Sequence, residues 1–378
     1  MEVMTQKIDL NNLDKSTWKT FKFEEIAEKI SKTVKPDEAE VDIYVGLEHL
    51  DAEDIHIRRK GVPSDVKGGK LRCYPGDVIF GKRRAYQRKA AIVNFHGICS
   101  AHAFVFRANQ EIIDPKLFPF FLHSNQFMHR MVDISVGGLS PTINWGDLKH
   151  QEFLIPPKDQ QAKLAELLWA MDDVIESELE VLEKLKKDDL TYLKHYFYDD
   201  KSSERVKLKQ IVSIKKGKQP SELIENEKGI PYCKAKYLRF GIVEEIVPEK
   251  SLEKSVLIDD NDIILLWDGA AGEIFKGKKG VLASTMSKLS LTNKDFIQDF
   301  LFEFLRFRSD SINRAAVGSV IKHVDPTYFN NIKVPKYNIE KQELIIELFS
   351  TLRENISACE SKISSSKALQ KSLINQVF

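Results

Sequence analysis

Two stretches of this 378-residue chain carry residue types at spacings that could do chemistry, and both fail on context. Gly272-Glu273-Ile274-Phe275-Lys276-Gly277-Lys278-Lys279 nearly matches a phosphate-binding loop, in which backbone N–H groups cradle phosphates and a closing Ser or Thr holds magnesium; here Lys279 stands at that closing position. Such a loop must open a helix whose dipole meets the anion, whereas Gly280-Val281-Leu282-Ala283 reads as a strand. Asp268-Gly269-Ala270-Ala271-Gly272 has the glycines of a cofactor-binding turn but also lacks a following helix, which predicts a turn at a strand end. Neither Asn-Pro-Pro-Tyr nor Asp-Pro-Pro-Tyr, the tetrapeptides of adenine methylation, occurs, and there is no acidic nuclease cluster with a following lysine and no Gly-x-Ser-x-Gly elbow. His102, His123, His129 and His323 stand singly and are read as packed or solvated, so no metal site is predicted.

Cations interleaved with hydrogen-bonding side chains suit a different task. The tract Gly81-Lys82-Arg83-Arg84-Ala85-Tyr86-Gln87-Arg88-Lys89 follows a strand-like run. Arg can bond guanine O6 and N7 in bidentate fashion, Gln can do so for adenine, and Lys positions phosphates. Lys276, Lys278 and Lys279 are read as its basic counterpart in the second half, with Lys216 and Lys218, and Lys236 and Arg239, as further cationic clusters. The loops Ser135 to Trp145 and Ala316 to Asp325 add Ser140, Thr142, Asn144, Ser319, Lys322 and His323, groups able to donate to phosphate oxygens. A solvated surface loop is the other reading of each cluster, and for the last two loops a purely structural turn. What favours binding is that these segments recur inside a repeated scaffold.

The repeat has a period of about 181 residues. Gly76-Asp77-Val78-Ile79, a basic tract, Gly97-Ile98-Cys99-Ser100-Ala101 and the aromatic stretch Leu117 to Met131 are echoed by Asn261-Asp262-Ile263-Ile264, a basic tract, Gly280-Val281-Leu282-Ala283-Ser284 and Phe296 to Phe307. Val136-Gly137-Gly138 then corresponds to Val317-Gly318-Ser319, Ile155-Pro156 to Val334-Pro335, and Gln161 with Glu166-Leu167 to Gln342 with Glu347-Leu348.

Each copy is a globular part followed by a helix. Short β-branched and aromatic runs such as Asp77 to Phe80, Phe104 to Phe106 and Ile263 to Trp267, bounded by Gly, Pro and Asp, predict strands in mixed α/β domains. After Pro157 no Gly or Pro occurs until Gly217, and apolar residues from Leu164 to Leu193 recur mostly every three or four positions. A second such stripe runs from Leu344 to Val377. About 40 helical residues reach roughly 60 Å, which suits a spacer. The narrow apolar seam predicts an antiparallel coiled coil with pseudo-two-fold symmetry, the alternative being that each helix packs on its own domain. The expected division is a first globular domain at 1–155, a central long helix at 156–200, a second globular domain at 201–335 and a C-terminal long helix at 336–378.

Composition bounds the class. The formal net charge is +1, so local basic clusters are balanced by segments such as Asp172 to Glu183. The longest apolar run, around Leu117 to Leu122, is far too short to span a bilayer, and Met1 to Leu10 is too polar for a signal peptide, so a cytoplasmic, non-membrane protein is expected. Cys73, Cys99, Cys233 and Cys359 have no paired spacing and are read as reduced packing residues.

Taken with Tyr44-Val45-Gly46-Leu47-Glu48-His49-Leu50, the order Gly76 to Arg84, Ile155-Pro156-Pro157, Gln160-Gln161 and a long helix, repeated through Pro335 to Gln342, resembles the specificity subunit of type I restriction-modification enzymes over nearly the whole chain. The resemblance implies a non-catalytic subunit with two target-recognition domains, each reading half of an asymmetric, bipartite site in double-stranded DNA, and helices that set the gap. It implies docking of two methyltransferase subunits and, in a restricting complex, of motor-nuclease subunits. S-adenosylmethionine, ATP and magnesium are then expected on those partners and no cofactor on this chain. A stand-alone DNA-binding regulator is the alternative reading, and a nucleotide-dependent enzyme using Gly272 to Lys279 a third. Val334-Pro335-Lys336 departs from the double proline of the first half, and the loop Ala316 to Asp325 differs from its partner, so base-reading residues do not transfer between halves.

Overall fold

The structure is a computed structural model that describes residues 13–225, 228–252 and 255–378; the polar stretch Met1 to Leu10 lies outside the described residues. The chain divides into two compact units, one reaching to Leu179 and joined by Ser361–Phe378, the other Glu180–Glu360. The four segments expected from the sequence set the long helices apart from the domains, whereas the compact units divide each helix near its middle.

In the first unit the strands are β1 (Lys19–Lys22), β2 (Ala27–Ile30), β3 (Thr33–Val34), β4 (Tyr44–Val45), β5 (Lys70–Cys73), β6 (Val78–Gly81), β7 (Ala90–Ile92), β8 (Gly97–Cys99), β9 (Ala103–Ala108) and β10 (Glu152–Ile155). The helices are α1 (Phe23–Ile26), α2 (Phe118–His123), α3 (Asn125–Asp133), α4 (Trp145–Leu148) and α5 (Lys158–Lys194), the last continuing into the second unit. The second unit has β11 (Glu204–Lys207), β12 (Val212–Lys216), β13 (Ile230–Cys233), β14 (Ile246–Val247), β15 (Leu257–Ile258), β16 (Ile263–Leu266), β17 (Ile274–Lys276), β18 (Gly280–Leu282), β19 (Met286–Leu291) and β20 (Lys333–Lys336). Its helices are α6 (Ala235–Phe240), α7 (Gln298–Arg314), α8 (Pro326–Asn331) and α9 (Ile339–Val377), which ends in the first unit.

The duplication is written in strand pairing. The sheet β2-β9-β6-β7 has its equal in β12-β19-β16-β17, and the pair β1-β10 in β11-β20. In the remaining sheet, β8 runs parallel to β4 and antiparallel to β5, as β18 does with β13 and β15. The fourth strand joins opposite edges of this three-stranded core: β3 pairs with β5, but β14 pairs with β13. The central strands are buried on both faces (Val78 to Gly81, Ile263 to Leu266), which is why they read as continuous apolar runs rather than as alternation.

Aromatic rings fill both cores. Phe23, Phe106, Phe121, Phe127 and Phe153 meet edge-on or tilted in the first unit, and Phe197 gathers Phe300, Phe304 and Phe349 in the second. Within the first unit Leu164 and Leu168 of α5 share an apolar cluster with Ile374 and Val377 of α9, while Gln370 donates to Asp172 (3.1 Å) and Ser366 to Glu178 (3.3 Å). Residue numbers rise on one helix as they fall on the other, so these segments run antiparallel. In the second unit Lys186 pairs with Glu360 at 2.7 Å and Leu193 shares the core with Ile345 and Phe349, the same antiparallel sense.

One device ties each helix to its domain. Gln161 lies buried in the first turn of α5; its Oε1 accepts from the Asp114 N–H (2.6 Å), and its Nε2 donates to the carbonyls of Ile112 (2.8 Å) and Pro156 (2.7 Å). Gln342 in α9 repeats this with the Ile297 N–H (2.9 Å) and the carbonyls of Asp295 (2.7 Å) and Tyr337 (2.9 Å). Among the described residues no helix is long and apolar enough to cross a membrane, and all four cysteines are free thiols. Burial pushes the Cys233 thiol up to about 12, as expected of a packing residue.

Candidate nucleic-acid interface

The basic tract leaves the end of β6 and returns as β7 through a single 3-10 turn, Ala85–Gln87. Arg84 and Arg88 flank that turn in the left-handed region, at φ 54° and 52°. Two non-glycine residues so placed cost about 1–3 kcal/mol each, strain of the kind that collects at functional loops. The two arginines face different ways. Arg84 is exposed, whereas Arg88, expected among the DNA-facing cations, turns inward: it donates to the His123 carbonyl (3.1 Å) and Asn125 Oδ1 (2.8 Å) and pairs with Glu53 (3.1 Å). Its guanidinium is therefore spent on closing the domain. Tyr86 is exposed and Gln87 half-buried on the same turn.

The loop that carries Ser140, Thr142 and Asn144 closes on this tract. Val136 and Thr142 exchange backbone hydrogen bonds (3.0 and 2.9 Å), making a short finger; Gly137 turns its neck at φ 116°. The finger is pinned to the tract by the Ile143 N–H on the Lys82 carbonyl (2.9 Å) and the Arg84 N–H on the Pro141 carbonyl (2.7 Å). Arg83 donates to Ser140 Oγ at 3.2 Å. Lys82, Arg83, Ser140 and Thr142 are thus brought together from positions far apart in sequence; Asn144 lies exposed just past the finger.

The second unit builds the same backbone with the charges exchanged. Val317 and His323 close its finger (2.9 and 2.7 Å), Gly318 turns it at φ 112°, and the pins are the Val324 N–H on the Trp267 carbonyl (2.9 Å) and the Gly269 N–H on the Lys322 carbonyl (2.8 Å). Trp267-Asp268-Gly269 therefore stands where Lys82-Arg83-Arg84 stands in the first unit. This corrects the sequence reading, which took Lys276 to Lys279 as the counterpart. Strand register gives the reason: Val78 pairs with Ile92 and Ile263 with Lys276, so the lysines match the far end of β7. Positive charge comes instead from Lys322, exposed on the finger, and from Lys216, 3.3 Å from the Asp268 carboxylate, whose Oδ1 also bonds His323 Nδ1 (2.7 Å). Ser319, on the finger, and Lys218, two residues after Lys216, are exposed.

The remaining predicted cations form a second group and are largely paired. Lys236 and Arg239 of α6 hold Glu244 and Glu273, Lys276 holds Asp299 at 2.5 Å, and Lys278 donates to the Tyr237 carbonyl at 3.1 Å; Lys279 is exposed. Gly272 to Lys279 runs through β17, the edge strand paired with β16, and crosses to β18 in the other sheet, so the near match to a phosphate loop is a strand and a strand-to-strand connection with no helix for an anion to meet.

Sequence reasoning missed Lys29 and Lys70. Burial lowers the Lys82 ammonium and nearby Lys29 lowers it further; burial likewise lowers the His102 imidazole, aided by Arg83, Lys82 and Lys70. Lys29 lies on β2 of the sheet that carries the tract and Lys70 on β5 of the other sheet, so only the tertiary fold brings them near it, and no local signal marks them. Also missed were Leu139 and Val320 at the fingertips, for which an apolar residue within a glycine-containing loop is the available signal.

The family described as type I restriction modification DNA specificity domain matches residues 15–187 and again 200–365. The chain is 36% identical over 178 residues to the type I restriction enzyme MjaVIII specificity subunit of Methanocaldococcus jannaschii, covering 46% of this chain and 41% of that protein. It is 27% identical over 171 residues to the EcoDI specificity subunit of Escherichia coli, covering 43% and 37%. The aligned stretches thus span less than half the length of either curated relative. The fold is shared with the S subunit of a type I restriction-modification system from M. genitalium, at a TM-score of 0.61, 17% identity and coverage of 97% of this chain and 98% of that one. With its domain found twice across most of the sequence, the chain belongs to the type I restriction modification DNA specificity domain family.

Proposed function

We propose that this chain is the DNA sequence-specificity subunit of a type I restriction-modification complex and has no catalysis of its own. Each unit reads one half of an asymmetric, bipartite site in duplex DNA, and the paired helices act as a coiled-coil spacer with pseudo-two-fold symmetry and dock two methyltransferase subunits. S-adenosylmethionine, ATP and magnesium belong to those partners and, where a restricting complex forms, to its motor-nuclease subunits. The carrying observation is that one closed finger is locked to one strand end in both units while the charges around it are exchanged, Arg83 and Arg84 on the tract in the first, Lys322 on the finger in the second. A common backbone with different reading groups is what two different half-sites require.

The test is adenine-methylation mapping with the chain assembled with type I methyltransferase subunits. A split motif is expected. Arg84→Ala should relax or weaken the first half alone, by about 1–3 kcal/mol, and Lys322→Ala should weaken binding through the second unit while lowering the salt slope by about one. Methyl transfer by the pure chain, an unsplit motif, or changes in both halves from either substitution would overturn the reading. A stand-alone regulator would bind its site without recruiting the methyltransferase subunits.

A further inference from the structure

Both fingers end in an aliphatic side chain held out in water: Leu139 is 98% exposed and Val320 94% exposed. They are equivalent residues, three places after Val136 and Val317, which close the two fingers. The tip is not a slack loop, because two reciprocal backbone bonds close each finger and two more pin it to the end of β6 or β16. A wholly exposed leucine forgoes the free energy of burying its side chain, and nothing in its own unit recovers it. At the base of each finger stand cations, Lys82, Arg83 and Arg84 in the first unit and Lys216 and Lys322 in the second. Between the two units the cations change place, yet the glycine neck and the apolar tip stay.

We propose that Leu139 and Val320 are apolar wedges, each entering the base stack of duplex DNA at one step within the half-site its unit reads. A base step is an apolar slot flanked on both strands by phosphates, so it complements a rigid apolar tip with cations behind it. A protein groove would satisfy the tip but not the cations. This inference rests on the DNA-reading function proposed above.

The experiment uses the full chain assembled with its methyltransferase subunits on a short synthetic duplex carrying the mapped site. Permanganate reports unstacked thymines and hydroxylamine unstacked cytosines; since every base pair holds one pyrimidine, every step is covered. The thymine opposite the methylated adenine serves as an internal reference. One additional reactive step is expected in each half-site. Leu139→Ala should abolish the first and leave the second, Val320→Ala the reverse, each weakening binding about tenfold. The slope of log affinity against log salt should not move, because an apolar contact releases no counterions. Leu139→Met should restore both affinity and reactivity. Folding is not at issue at a side chain that touches nothing. Unchanged affinity, or weaker binding with unchanged reactivity, overturns the wedge. Loss of methyltransferase subunits from the DNA-free variant overturns it in favour of a protein contact. Failure of the unsubstituted complex to bind the mapped site overturns the DNA-reading function instead.

Discussion

Replacing Gln161 by leucine keeps nearly the same side-chain volume and removes one acceptor and two donors. The Asp114 N–H and the carbonyls of Ile112 and Pro156 are then left without the partner that satisfies them now. Each orphaned buried group costs about 1–3 kcal/mol. Burial of the leucine returns about 2 kcal/mol, which leaves a net loss of about 4 kcal/mol. In a unit of this size that lowers the melting temperature by roughly 10 °C. Native-state hydrogen exchange followed by unit is the informative assay. Gln161→Leu should accelerate exchange of the central amides in β6 and β9 while those of β16 and β19 keep their protection, and Gln342→Leu should do the opposite. A loss below about 1 kcal/mol, or equal losses in both units from either substitution, would refute the view that each glutamine fastens one helix to one domain.

Glu303 is 1% exposed and accepts from Arg306 Nε (2.9 Å) and from Arg353, while Arg306 also grips Asp189 at 2.7 and 2.8 Å. Glu303→Ala should therefore cost the second unit about 3 kcal/mol, and Arg353→Ala about 1 kcal/mol because that guanidinium is a third exposed; equal costs in denaturant titrations would contradict this. His56 bonds Asp172 at 2.7 Å, and that bond, opposed by burial and supported by the charges of Asp172, Glu176 and Asp54, raises its pKa above 6.5. The stabilisation is fully present below pH 6.5 and is lost as pH rises through the higher folded-state value, so the contribution of His56 to the first unit, taken as the difference from His56→Ala, should shrink on going from about pH 6 to 8. Urea midpoints that change equally with pH in both proteins would count against it.

The sequence by itself determined the duplication, the two long helices and the positions of Gln161 and Gln342. These rest on local signals: apolar spacing of three and four, the absence of Gly and Pro, and runs of β-branched residues, all of which act over one turn or one strand. It also singled out Lys82 to Arg84 and both glycine-containing loops as candidate DNA-facing segments. Only the tertiary structure decided which residues are equivalent. Basic composition suggested Lys276 to Lys279 as the partner of the first tract, but antiparallel register set Trp267-Asp268-Gly269 there. It also decided which cations are free to meet a ligand. Arg88 is drawn inward by groups on α2 and α3, and Lys276 is neutralised by Asp299, pairings between residues distant in the chain. Charge acts through space, so its partners are chosen by strand and helix packing, which local sequence does not encode.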